Sequence, residues 1–248
     1  MTHNDAMTDD LNWEDFSQGL MSEDPVQYIQ DIRENGTLKH SLPEIDALFG
    51  IPQAAKSHPE IDTGAHTMMA LKKAVDLKGD LSVRFAALVH DIDKALTDPE
   101  MLPRHEGHEE AGVIPVQNLT ERLGTPDDVK SFAVHFTRYH LYAHRMLDMQ
   151  PKSIVTVLDN VGAIENSDMF ENFILAAQSD AQGRLGMENK PYPQADFMRA
   201  VLKAVQDIDI DDLTLSGLEN TDIQEQLHIR RIDAVRELQN NFDANTPP

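Results

Sequence analysis

Cysteine is absent from all 248 residues. That excludes a disulfide framework and any thiolate zinc site, so a metal would have to be held by His, Asp or Glu. Basic residues are scarce: 21 Lys and Arg stand against 43 Asp and Glu, a formal net charge of −22. Broad binding to nucleic acid needs a basic face, so no extended nucleic-acid interface is expected. A local basic pocket for one phosphate remains compatible with that balance. No apolar run reaches the ~18 residues of a membrane span. The N-terminal "MTHNDAMTDDLNWEDF" is acidic and lacks the basic-then-apolar order of a signal peptide. No membrane partner is expected, and a cytoplasmic setting fits. Period-2 alternation is also missing, because the one β-rich run, "SIVTVL", sits inside a helical pattern.

The composition is otherwise that of a globular protein, with 40% hydrophobic and 26% charged residues. Residues 1–23 read as a loosely attached acidic tail with scattered apolar anchors (Leu11, Trp13, Phe16, Leu20) and room for one short helix. Helical spacing and start signals then recur along the chain. "SEDPVQYIQDIRENGTL" begins with Pro25 in a first turn and stops at Asn35-Gly36. A short helix is expected in "LPEIDALFGIPQ", a longer one over 63–78, and another through "DLSVRFAALVHDIDKAL", capped by Asp80 or Ser82. Further helices are expected over 108–124, where Pro115 kinks or interrupts a first turn, over 126–144, and in "PKSIVTVLDNVGAI" and "SDMFENFILAAQSDAQGRL". Segments at 192–206 and "DIQEQLHIRRIDAVRELQ" complete an all-α helical bundle with a loop-like boundary near 186–194 and additional C-terminal helices. The expected division is a tail (1–23), a main domain (24–190) and a C-terminal helical extension (191–248).

Within this pattern "FAALVHDIDKAL" is unusual. An apolar run from Phe85 to Val89 meets His90 and Asp91 and continues into Asp93 and Lys94. Adjacent residues on a helix lie about 100° apart, so both side chains can reach an ion between their directions. A hydrogen-bonded core histidine beside a solvated acid would give the same dipeptide. Six further histidines surround the pair in sequence: His66 on the preceding helix, His105 and His108 at i,i+3, His140 and His144 at i,i+4, and His135 off that face, where a structural role is expected. Asp180 lies in another helix. A bundle can bring such residues together in its core, where His and carboxylate ligands suit Ni, Mn, Mg, Co, Fe or Zn. Met68, Met69, Phe85, Phe132 and Phe136 read as core.

The order His66, His90-Asp91, Asp180 resembles the H…HD…D signature of the HD-domain metal-dependent phosphohydrolases. "LPEIDALFGIPQAAKSHPEIDTGAHT", "HDIDKALT", "PRHEGHEEAGV", "PKSIVTVLD" and "SDAQGRLGMENKPYPQ" are similar to the C-terminal HD domain of bacterial CCA-adding enzymes, the tRNA nucleotidyltransferases. The resemblance runs from about residue 24 to 238. It implies an HD-domain helical bundle and a metal-dependent phosphohydrolase acting as a 2′,3′-cyclic phosphodiesterase, nucleotidase or phosphatase on nucleotides or RNA ends. It also implies His66, His90, Asp91 and Asp180 as ligands of a divalent metal, and His108 and His140 as ligands of a second ion. Asp91, His105 and Lys94 are the expected catalytic residues, with His105 as general acid or phosphate contact. Lys94, Arg104, His105, His144 and Arg184 are the expected substrate contacts. A solvated Lys94 paired with Asp91 or Asp93 is the plainer alternative. Two departures stand out. No Gly-Gly or Gly-Ser segment with an Asp-x-Asp pair, and no Arg-rich helix, precedes residue 24, so nucleotide addition is not expected. Asp93 replaces a customary glycine and is expected to face water. Two other readings stand beside this one: hydrolysis of nucleoside triphosphates or a cyclic signalling nucleotide, and a non-catalytic module binding tRNA or protein.

Overall fold

The computed structural model describes residues 10–209, 211 and 219–244. Residues 1–9 of the expected tail, and 210, 212–218 and 245–248 of the expected extension, lie outside the described residues. The remainder is helical, and the nearest approach to a strand among the described residues is an isolated bridge between Pro52 and Asp62. The all-α expectation holds.

Three helices form the central wall: α5 (Thr63–Asp76), α6 (Leu81–Val89) and α9 (Asp127–Arg145). α5 and α6 start where an aspartate accepts a free backbone amide, and α9 where proline and first-turn acids favour a helix start. Asp62 accepts the Ala65 amide at 2.8 Å, Asp80 accepts that of Val83 at 3.0 Å, and Pro126 with Asp127 and Asp128 opens α9. The wall is apolar on both sides. Ala70, Ala74, Val83, Ala86, Phe132 and Phe136 face one hydrophobic cluster, completed by α10 (Pro151–Asn160), α11 (Ser167–Gln182), α12 (Pro193–Gln206) and α13 (Asn220–Asn241). Met68, Leu71, Phe85, Leu88, Val129 and Ala133 face the other. That side is closed by α1 (Trp13–Leu20), α2 (Pro25–Glu34), α3 (Thr37–Ser41), α4 (Pro43–Asp46) and α8 (Val113–Leu123).

Several sequence expectations are corrected by this packing. The tail is not loose over 13–20. There α1 buries Phe16 and Leu20 completely, and Trp13 meets Phe85 edge-on at 5.4 Å. Burial of these two side chains against the core ties the segment down. The 190/191 boundary is a loop without a break in the core, because Phe197, Met198, Val201 and Val235 join the cluster of α9, α10 and α11. The expected helix over 108–124 is broken at Gly112 into α7 (His108–Ala111) and α8, with Pro115 in the first turn of α8, where its missing amide is not needed.

The helix expected through "FAALVHDIDKAL" ends at Val89. His90 caps it, Asp91 leaves α geometry at φ −107° and ψ 11°, and Ile92–Leu96 continues as a 3₁₀ turn. In a 3₁₀ turn residues i and i+3 eclipse, which stacks Lys94 over Asp91 where an α-helix would splay them. The Lys94 amide donates to the Asp91 carbonyl at 2.9 Å, closing that turn.

Candidate metal centre and adjoining cleft

The wall and its neighbours each deliver ligands to one place. His66 sits in the first turn of α5, His90 and Asp91 at the end of α6, His108 at the start of α7, His140 inside α9, and Asp180 near the end of α11. All six are buried. Gly183 makes the closest of these approaches possible, since a Cβ there would lie 2.5 Å from the Ala70 Cα. The end of α11 therefore rests directly on the backbone of α5, and Asp180 Oδ1 reaches His66 Nε2 at 3.1 Å.

Three of the histidines are turned by the same device. His90 Nδ1–H donates to the Ala87 carbonyl at 3.1 Å, His140 Nδ1–H to Thr137 at 2.8 Å, and His108 Nδ1–H to His105 at 2.7 Å. Each ring thereby turns its Nε2 inward, so that in the neutral form the Nε2 lone pair faces the site, the tautomer a metal ligand needs. Asp91 faces both ways. Its Oδ2 lies 3.3 Å from His90 Nε2 and 3.9 Å from His66 Nε2, and its Oδ1 lies 3.1 Å from His108 Nε2 and 3.8 Å from His140 Nε2. Phe136 floors the cluster, 5.9 Å from both the His90 and His140 rings.

The ligand atoms fit a divalent cation. His66 Nε2, His90 Nε2 and Asp91 Oδ2 are fully buried, lie within 4.8 Å of one another, and have no aligned hydrogen-bond partner. Buried polar atoms ordinarily make aligned hydrogen bonds, so this convergence, in which His66 Nε2 and Asp91 Oδ2 have only ion-pair contacts from Asp180 and Lys94, marks a place for an ion. Asp91, His108 and His140 form a second such group, and His90, His140 and Asp180 a third.

The electrostatics follow the same geometry. Burial alone would raise the Asp91 carboxyl, but His90, Lys94 and His108 hold it well below the usual carboxylate range. Asp180 is likewise pulled down against its burial by Arg184, His144 and His66. Burial would lower His66 and His108, yet Asp180 and Glu60 keep the first raised and Asp91 the second. His140 is pushed well down by burial and by His90.

The remaining expected residues fall into two groups. Lys94 is buried, with Nζ 2.7 Å from Asp91 Oδ2 and 3.0 Å from Gln53 Oε1, so the solvated alternative is set aside. His144 and Arg184 brace Asp180. His144 Nε2–H donates to Oδ2 at 2.6 Å while its Nδ1 accepts from Tyr192 at 2.9 Å, and Arg184 meets Oδ1 at 3.0 Å. His105 is tied at both nitrogens: Nε2–H donates to the Pro52 carbonyl at 3.0 Å and Nδ1 accepts from the Thr97 hydroxyl at 2.7 Å. This tether disfavours a proton-donating His105. Asp93, expected in water, is half-buried near His108, and burial pushes its carboxyl up. His135 lies beside Ser131, off the ligand-bearing face of α9.

A cleft of about 450 Å³ opens over the ligands, lined by His58, Lys94, Arg104, His105, His108 and Arg145, with Glu106 and Glu109 also on its wall. His58, Glu60, Gln53 and Arg145 were not singled out from sequence. The "HPEID" loop carries His58 and Glu60, with the helix cap Asp62, close before His66, and Arg145 directly follows His144. Those adjacencies were the available signals.

Comparison with known proteins agrees with this geometry. Residues 63–164 match the HD domain family. The chain is 42% identical over 240 residues to the "Multifunctional CCA protein" of Acinetobacter baumannii (strain AYE), covering 97% of this chain and 58% of that one. It is 40% identical over 234 residues to the protein of that name from Thioalkalivibrio sulfidiphilus, with 94% and 57% covered. The Pseudomonas fluorescens protein of the same name is 38% identical over 231 residues. The chain thus spans a little over half the length of these relatives. No helix among the described residues is long and apolar enough to cross a membrane. Residues 63–164 of the chain are therefore an HD domain, with His66, His90 and Asp91 inside it.

Proposed function

We propose that the cleft hydrolyses a small phosphoester, a 2′,3′-cyclic phosphate or a terminal phosphate on a nucleotide or RNA end. The observation that carries this reading is Asp91. One of its carboxylate oxygens faces each of two histidine groups, directly beneath a cleft lined by Lys94, Arg104 and Arg145. His66, His90, Asp91 and Asp180 would hold one divalent ion, and Asp91, His108 and His140 a second. When bound, the metal supplies Lewis acidity toward a phosphoryl oxygen and an acidified water.

The protein's own part is positioning. Arg104 and Arg145 offer charge to a phosphate at the cleft wall. Lys94, stacked on Asp91, offers a point charge nearer the ligands. Glu106 and Glu109 restrict the anion to this basic spot, which suits a single phosphate group rather than an extended backbone. The kinship with CCA proteins supports a nucleotide or RNA terminus as substrate.

The test is hydrolysis of 2′,3′-cyclic AMP, 2′-AMP, nucleoside triphosphates and cyclic dinucleotides with Mg²⁺, Mn²⁺, Ni²⁺ and Co²⁺. Expected is metal-stimulated turnover of the cyclic or monophosphate substrates, lost in Asp91→Ala with the fold retained. Turnover confined to triphosphates or cyclic dinucleotides would transfer the site to those substrates. No hydrolysis with any metal would refute the enzymatic reading.

A further inference from the structure

A carboxylate outside the expected ligand set occupies a central place. Glu60 lies in the turn before α5, and its side chain is 4% exposed. Oε1 lies 3.1 Å from His58 Nδ1 and 3.2 Å from His66 Nδ1, the latter short of full hydrogen-bond alignment. Oε2 accepts the Leu185 amide at 3.1 Å, just past Asp180 and Arg184. The Gln53 amide, whose oxygen accepts from Lys94, also reaches Oε1 at 3.5 Å.

The backbone that presents this carboxylate is strained. Ile61 has φ 65°, a left-handed conformation that a β-branched residue rarely adopts. The turn is held by the Ile61 amide on the His58 carbonyl (2.9 Å) and the Gln53 amide on the Ile61 carbonyl (2.7 Å). It aims Glu60 inward while Asp62, two residues on, caps α5. Strain of this kind persists only where the surroundings enforce it, and it clusters at functional sites.

His90, His108 and His140 have their Nδ1–H fixed by backbone carbonyls. His66 Nδ1 instead faces Glu60 Oε1 at 3.2 Å. We infer that Glu60 is a positioning residue of the metal centre: it takes the Nδ1 protons of His66 and His58, turning the Nε2 of the first to the metal and freeing the Nε2 of the second toward the cleft. The inference rests on the metal-centre reading above. It places a His58–Glu60 pair in the cleft, where the sequence had pointed to His105 as general acid or phosphate contact. A carboxylate is required because both Oε1 and Oε2 accept, and glutamine would place an NH₂ against either the imidazoles or the Leu185 amide.

The test is calorimetric titration of the full chain with Zn²⁺ and Mn²⁺, with histidine tautomers read in the Zn²⁺-loaded protein by long-range ¹H–¹⁵N NMR. Glu60→Gln should weaken binding about 10- to 100-fold, leave the stoichiometry unchanged, and remove the Nδ1–H signatures of His66 and His58. If Glu60→Gln does not fold, Glu60→Asp carries the same expectation, since it keeps the charge but withdraws the carboxylate by one methylene. Unchanged affinity and tautomers, with binding abolished in His90→Ala, would overturn the role of Glu60 and leave the metal centre standing. A wild-type chain that binds neither Zn²⁺ nor Mn²⁺ would overturn both.

Discussion

Replacing Lys94 with methionine should separate stability, metal binding and catalysis. The Lys94 ammonium and the Asp91 carboxylate are both buried and 2.7 Å apart. Removing one partner of such a pair strands the other charge, at a cost of ~3–5 kcal/mol. Asp91 also faces His108, and added protonation of that imidazole recovers part of the loss, so the lower end applies. At roughly 2–4 °C per kcal/mol for a chain of this size, Lys94→Met should melt on the order of 10 °C lower in EDTA. A divalent ion between Asp91 and the histidines changes the sign. Lys94 then stands as a like charge beside the ion, and two unit charges ~4 Å apart repel by ~4 kcal/mol at an effective dielectric of ~20. Mn²⁺ should therefore bind the variant at least about tenfold more tightly and restore most of its melting temperature. Phosphoester turnover should still fall, because the point charge for the phosphate is gone. Differential scanning fluorimetry and calorimetry give all the terms. A variant that binds Mn²⁺ more weakly than wild type would refute the reasoning and make Lys94 a scaffold for Asp91.

Three further outcomes are expected. Gly183→Ala drives a Cβ to 2.5 Å from the Ala70 Cα, so it should cost about 1–3 kcal/mol in urea denaturation and weaken metal binding by moving Asp180 off His66; stability and affinity both unchanged would refute the contact. His66 and His108 are held above the ordinary imidazole range. In the metal-free protein their contribution to stability is present below about pH 6.5 and is lost as pH rises through the folded values. Metal binding requires their neutral forms, so Mn²⁺ affinity should rise with pH and binding at pH 7 should release protons, read by calorimetry in two buffers of different ionisation enthalpy. Phe16→Ala should lower unfolding free energy by ~3–5 kcal/mol in urea, a loss that a loosely attached tail would not show.

Much of the architecture could be read along the chain because helix signals are local. Asp62, Asp80, Pro25 and Pro126 announce helix starts from their own neighbours, and the Met68, Leu71 and Val75 spacing marks a core-facing stripe. The misreadings arose where a distant partner overrode the local pattern. "FAALVHDIDKAL" reads as one helix, but Asp91 and Lys94 must meet over the same point, and the chain unwinds into a 3₁₀ turn to bring them there. Phe16 and Leu20 look like stray anchors in an acidic segment until Phe85, in a helix some seventy residues on, is set against them.

The ligand types were fixed by sequence alone: with no cysteine, any metal had to be held by imidazole and carboxylate, and the HD resemblance named His66, His90, Asp91 and Asp180 among many possible sets. Which nitrogen of each ring points inward, and which residues brace the ligands, was settled only by the tertiary structure. His144 and Arg184 turned out to hold Asp180, and His105 to be bound to Pro52 and Thr97. Glu60 entered the site through a strained turn at Ile61 that no periodicity signals. The physical reason is that helix propensity and capping act over a few residues, whereas a buried proton or charge is satisfied by whichever group packing brings within about 3 Å.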